Sequence, residues 1–169
     1  MGLSAQHQNL TDAANYARYA EANMPFKKRV VFIGNSITEG WVNSNPEFFA
    51  SNNYIGRGIS GQTSPQLLLR FRQDVINLHP TAVVINIGTN DIAENTGAYT
   101  LEFTLDCIMS MSELARYNGI KVILSSILPV TSYSWNKNIT NIAEKVDALN
   151  RQIKTYADSN GFFYIDYNT

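Results

Sequence analysis

Short uninterrupted apolar runs alternate along the chain with longer stretches of helical periodicity. "RVVFI" (29–33) and "TAVVINIG" (81–88) are continuous, as strands buried on both faces require. "NNYIGRGI" (52–59), "IKVILSSIL" (120–128) and "FFYID" (162–166) complete a predicted set of strands. Between them the pattern predicts helices. One spans 11–24, with Thr11 as N-cap and alanines throughout, and a short one follows Asn45–Pro46. Another covers 64–78, with Ser64 as cap and Pro65 in the first turn. Two more cover 100–118 and 139–160, stopped by Gly119 and Gly161. Strand–helix alternation implies a parallel sheet with right-handed crossovers and helices on both faces.

That architecture directs attention to the loops beyond the carboxyl ends of the strands, where open α/β sheets bind ligands. The loops are "GNSITEG", "GRGISGQTS", "GTNDIAENTG" and "PVTSYSWNKN". Three of the four are rich in glycine, serine and asparagine, which present N–H groups to an anion. Ser36 opens "SITE", a capping box in which Glu39 would reach back to the serine N–H. A serine at a strand-to-helix turn is also well placed as a nucleophile, because the helix N-terminus favours developing oxyanion charge. "GRGISG" fits G-x-G-x-x-G, but a dinucleotide site fails on context. The helix starts only at Ser64–Pro65, and the next strand carries Asn86 where an acidic ribose ligand is needed. A tight turn remains the plain alternative there. In "GTND", Asn90 suits a turn, or a side-chain amide donating to a carbonyl oxygen.

Composition narrows the classes. The 169 residues fit one domain with a real core; 44 % are hydrophobic and 16 % charged, and the net charge is −1. No basic block points to nucleic acid, and no run approaches a membrane span. The single cysteine, Cys107, reads as a buried helical thiol. Two histidines, His7 and His79, show no metal-ligand spacing, so neither a metal nor a cofactor is expected. The start "MGLSAQHQN" contains no complete signal peptide; "LSAQ" is read as a remnant of a cleaved one, which leans toward a secreted or periplasmic location.

Taken together, from about Arg29 onward, "GNSITEGW", "GRGISGQT", "GTND" and "ILSSILP" resemble in order the blocks of the SGNH (GDSL-type) hydrolase family. The similarity is greatest to lipase-like acylhydrolases related to platelet-activating-factor acetylhydrolase and to carbohydrate acetylesterases. The resemblance implies a serine ester hydrolase acting on a small ester, including an acetylated carbohydrate, through an acyl-enzyme. Ser36 would be nucleophile and oxyanion N–H, Gly58 a second backbone donor, and Asn90 a side-chain donor. A non-catalytic carbohydrate- or acyl-binding module on the same fold is the alternative, with Trp41, Tyr133 and Trp135 as stacking candidates. One position departs: Asn35 stands where the family usually has Asp.

The fold implied is a flavodoxin-like α/β three-layer sandwich, its five-stranded parallel sheet ordered 2-1-3-4-5. Residues 1–28 form a tail and helix, and 29–169 the hydrolase domain. The family also requires a D-x-x-H block after the fifth strand, and none occurs in this sequence. His79 precedes the third strand, so it lies about 20 Å from the loop that follows it. Asp166, on the correct edge, is a poor substitute for imidazole. The expectation is therefore an incomplete chain that lacks the Asp–His pair and the final helix and is nearly inactive alone. Its apolar "RVVFI" and "AVVINI" stripe would be covered in part by the 11–24 helix, and otherwise by a complementing C-terminal segment or a second copy.

Overall fold

Every predicted strand forms; β1 keeps the length of its apolar run, shifted by one residue, and the other four are shorter because their ends turn into loops. The structure, a computed structural model, describes residues 10–23 and 29–168. The strands are β1 (Val30–Gly34), β2 (Tyr54–Gly58), β3 (Ala82–Asn86), β4 (Lys121–Ser125) and β5 (Phe163–Ile165). All pair in parallel, in the order β2-β1-β3-β4-β5. Gly34 lies level with both Gly58 and Asn86, so the first three strands end together.

The helices are α1 (Leu10–Ala13), α2 (Ser36–Ser44), α3 (Pro46–Ser51), α4 (Ser64–Asp74), α5 (Thr89–Ile92), α6 (Leu101–Tyr117) and α7 (Ile142–Asn160). On one face of the sheet Val31, Ile33, Val83 and Leu124 are fully buried in the main core, with Leu67 and Phe71 of α4, Met111 of α6 and Leu149 of α7. Gly119 (φ +72°) and Gly161 (φ +68°) close α6 and α7 in the left-handed region, as read from the sequence. Cys107 is buried on α6.

The other face is built differently. Phe32 of β1 meets Trp41 and Phe49 at ring-centroid distances of 5.5 Å and Tyr54 at 5.0 Å, an aromatic cluster under α2 and α3. Gly56 gives Val42 the space it occupies against β2. Beside the cluster lies a groove of about 270 Å³, lined by Phe32, Ile37, Trp41, Val84, Leu128 and Tyr167 among others. Among the described residues no helix follows β5, and Phe163 is exposed.

The expected 11–24 helix is corrected. Only Leu10–Ala13 is helical; Asn15 takes a positive φ of +50°, turns follow to residue 22, and Met24 lies outside the described residues. Tertiary bonding overrides alanine propensity here. Nor does the segment cover the Phe32–Val84 face. It runs along α4 and the outer edge of β2: Gln62, Gln66 and Gln73 donate to the carbonyls of Ala14, Ala13 and Tyr16. Tyr19 Oη donates to Gly58 O at 2.5 Å, and Arg57 donates to Asn23 Oδ1 at 2.9 Å and to its own neighbour, Gly56 O. Edge strands need such cover.

Candidate active site

Ser36 is the first residue of α2, not its cap. Asn35 holds the cap position, and its Oδ1 accepts the Ile37 N–H at 3.0 Å. The expected capping box is thus replaced: Asn35 caps, and Glu39 turns away to accept from Ser60 N (2.9 Å) and Ser60 Oγ (2.5 Å). Asn35 is fully buried and Ser36 is exposed. The Ser36 hydroxyl makes no hydrogen bond with any described residue, so capping does not consume it. Hydrogen bonding to Ser60 leads the causes that hold the Glu39 carboxyl below its ordinary value, with Arg18 at 3.2 Å adding to them.

Three loops at the carboxyl edge are tied to one another. Ile59 N donates to Gly34 O at 3.1 Å, joining the second loop to the first. Asn90 is 3 % exposed, and its Nδ2 donates to Gln62 O at 2.9 Å; Asn95 Nδ2 donates to Gly61 O at 3.0 Å. These bonds join the third loop to the second. An amide nitrogen carries two hydrogens, so Asn90 keeps one donor beyond its bond to Gln62.

Gly58 and Gly61 of the second loop stand in different settings. Gly58 is buried at the end of β2, where a Cβ would lie 2.7 Å from Asn35 O. Because Gly34 pairs with its neighbours Arg57 and Ile59, Gly58 turns its own N–H and C=O to the outer side of β2, where Tyr19 holds the carbonyl. Gly61, three residues on, is exposed at φ +79° with open space around it.

Beneath these loops lies a polar scaffold that sequence reasoning missed. Arg70, 0 % exposed, donates to Gln62 Oε1 (2.7 Å), Asp74 Oδ2 (2.9 Å), Gly34 O (3.1 Å) and Arg57 O (2.9 Å). One guanidinium therefore holds the ends of β1 and β2 and the Gln62 turn. The available signal was "LLLRFRQD", with an arginine on the apolar stripe and an acid four residues later. Asp91 accepts from Ser64 N (3.0 Å), Ser64 Oγ (2.5 Å) and Thr104 Oγ1 (3.3 Å), pinning α5 to the starts of α4 and α6. Burial pushes the Asp91 carboxyl up, and the Ser64 bonds oppose it. Ser64, read as a cap, is instead the first helical residue; Thr63 caps, with its N–H on Gln66 Oε1 at 2.9 Å.

Other candidates lie apart. His79 sits exposed at φ +50° before β3, on the edge opposite these loops, and His7 lies outside the described residues. Asp166 follows β5 and accepts from Ser126 Oγ and Asn168 N. Tyr133 is buried, Trp41 belongs to the aromatic cluster, and Trp135 is exposed. Among the described residues no group of three or more His, Cys, Asp or Glu is arranged to hold a metal ion, and no helix is long and apolar enough to cross a membrane.

Comparison with known proteins places this arrangement. The family model described as GDSL-like Lipase/Acylhydrolase matches residues 32–169. A crystal structure of a GDSL-like lipase from Bacteroides thetaiotaomicron superposes with a TM-score of 0.89 at 56 % identity, over 91 % of this chain and 78 % of that one. Axe2, an acetylxylan esterase from Geobacillus stearothermophilus, shares the fold with a TM-score of 0.67 at 18 % identity, over 86 % of this chain and 78 % of that one. The "Uncharacterized lipoprotein YqeF" of Bacillus subtilis is 33 % identical over 79 residues, 45 % of this chain; the match spans about a third (32 %) of that curated relative.

Proposed function

The chain belongs to the GDSL-like lipase/acylhydrolase family, and from that premise we propose that it is a serine ester hydrolase working through an acyl-enzyme on a small or carbohydrate ester. The observation that carries this is the capping of α2 by Asn35, which leaves an exposed serine hydroxyl at a helix N-terminus. Ser36 Oγ attacks the acyl carbon, the alcohol departs with a proton, and water releases the acid. The tetrahedral oxyanion is held by the Ser36 N–H, the second hydrogen of Asn90 Nδ2 and a glycine N–H of the second loop. Gly58 is the donor implied by family resemblance. Its N–H faces the outer side of β2, so Gly61 is the better-placed donor.

Residues 1–169 contain no D-x-x-H. In this proposal the Asp–His pair that shuttles the proton comes from residues following Thr169 or from another chain, and the groove beside Ile37 and Tyr167 receives the segment that brings it. Residues 1–169 alone then retain only what the oxyanion site and binding contribute, about 10³ to 10⁴ over water in the protease template.

The test is active-site labelling. A fluorophosphonate probe should label the full-length gene product at Ser36, leave Ser36→Ala unlabelled, and hardly react with residues 1–169. Strong labelling of residues 1–169 would defeat the external-base proposal. A full-length product that binds an ester saturably without hydrolysing it would select the non-catalytic module instead.

A further inference from the structure

Trp135 is 60 % exposed, yet its position is fixed. Its indole Nε1–H donates to Asn95 Oδ1 at 2.9 Å, and Tyr133 lies against it with ring centroids 5.1 Å apart. Tyr133 is itself buried and bonded through its hydroxyl to Thr89 Oγ1 at 3.1 Å. The next residue, Asn136, donates to Ala93 O at 3.0 Å. The loop after β4 is thus stapled to the loop after β3, and the ordering cost of presenting a flat ring is met before any ligand arrives. Of the three aromatic residues singled out by sequence, this is the one whose ring stands on a polar loop rather than in a cluster.

The bond to Asn95 has a second consequence. The same carboxamide donates through Nδ2 to Gly61 O. Indole, Asn95 and Gly61 therefore form one hydrogen-bonded line along the carboxyl edge, from the fourth loop through the third to the second.

We propose that Trp135 is the stacking platform of a carbohydrate subsite, holding the sugar portion of the ester against the loop that carries Gly61. The subsite rests on the ester-hydrolase reading for its substrate, though not for its ability to bind sugar. A pyranose ring offers one face of C–H groups and a rim of hydroxyls. A single indole on a loop that also exposes Ser134, Lys137 and Asn138 matches both parts, the ring to the face and the polar groups to the rim. An acyl chain needs contiguous apolar surface, which a lone exposed indole on a polar loop does not offer.

Two measurements on the full-length gene product test this. In titration calorimetry with the unacetylated probes xylotetraose, cellotetraose and chitotetraose, at least one should bind saturably. Trp135→Ala should weaken that binding tenfold or more, and Trp135→Phe should stay within threefold. Failure of all three sugars to bind, or unchanged affinity in Trp135→Ala, overturns the subsite. In kinetics, the ratio of kcat/KM on the acetylated tetrasaccharide to that on 4-nitrophenyl acetate should fall at least tenfold in Trp135→Ala. An equal fall on both esters marks a structural role and overturns it. If the wild type hydrolyses neither ester, the ester-hydrolase reading fails, and the calorimetry alone decides the subsite.

Discussion

Asn35 Oδ1 accepts the backbone N–H of Ile37 at 3.0 Å, and this bond determines what the neighbouring Ser36 is free to do. A helix needs its first N–H groups satisfied, and Asn is among the best residues for that task. Asn35→Ala should cost about 1 kcal/mol, a fall in Tm of about 2–4 °C for a chain of this size. Ser36→Ala, which removes a hydroxyl without a partner, should stay within about 0.5 kcal/mol of wild type. Thermal unfolding of both variants checks the contrast. A larger loss in Ser36→Ala would show that the serine caps after all.

Gly58 and Gly61 should respond to the same substitution to different degrees. Gly58→Ala drives a Cβ to 2.7 Å from Asn35 O and 2.8 Å from the Thr38 carbonyl carbon, both backbone atoms that cannot swing aside. Such overpacking costs about 1–3 kcal/mol and displaces the start of α2. Gly61→Ala meets no atom within 4 Å and carries only the penalty of φ +79°, about 1 kcal/mol. Urea midpoints should therefore rank wild type above Gly61→Ala above Gly58→Ala.

Arg70 is the buried cation on which the site rests. Arg70→Met strands Asp74, whose Oδ1 still accepts from Asn23 at 2.6 Å, and should cost about 3–5 kcal/mol. Replacing the pair together, Arg70→Met with Asp74→Leu, should recover part of that loss, because the Asp74 carboxylate goes with its partner, while buried Arg57 loses the Asp74 charge that favours it. Stability recovered without fluorophosphonate labelling would identify the carbonyl contacts to Gly34 and Arg57 as what positions the serine loop.

Glu39 should make stability depend on acid. Its folded-state value lies below the ordinary 4.5, chiefly through Ser60, so the stability it contributes is fully present above the unfolded value. That contribution is lost as pH falls through the lower folded value. The stability difference between wild type and Glu39→Gln should be constant near neutrality and shrink below pH 4.5. Asp91, pushed up by burial, has the opposite sign, and the difference measurement cancels it.

The sheet was legible because strands buried on both faces have to be largely apolar, and β1 and β3 are so up to their last residues, Gly34 and Asn86. The site loops were legible because a parallel sheet puts every strand's carboxyl end on one edge, so the segments after "RVVFI", "GRGI" and "AVVIN" had to be neighbours. Hydrogen-bond ownership was not legible. "NSITE" offers two side chains that can cap one helix, and the choice between Asn35 and Ser36 depends on Ser60, 21 residues beyond Glu39, which draws the carboxylate away. The helix at 11–24 failed for a similar reason: Tyr19 and Asn23 gain more from Gly58, Asp74 and Arg57 than from a local helix.

Strand β2 ends the ladder, and its outward carbonyls at Gly56 and Gly58 are taken by Arg57 and Tyr19, the arginine itself stacked over the tyrosine ring at 4.6 Å. A version of the protein shortened to begin at β1 would lose Tyr19 and the Asn23 anchor of that arginine, and would present an unpaired backbone edge to every other copy. Such copies would add strand to strand and grow with concentration into insoluble material. The stretch ahead of β1 thus serves as a built-in guard of solubility, and an expression boundary is best drawn upstream of it.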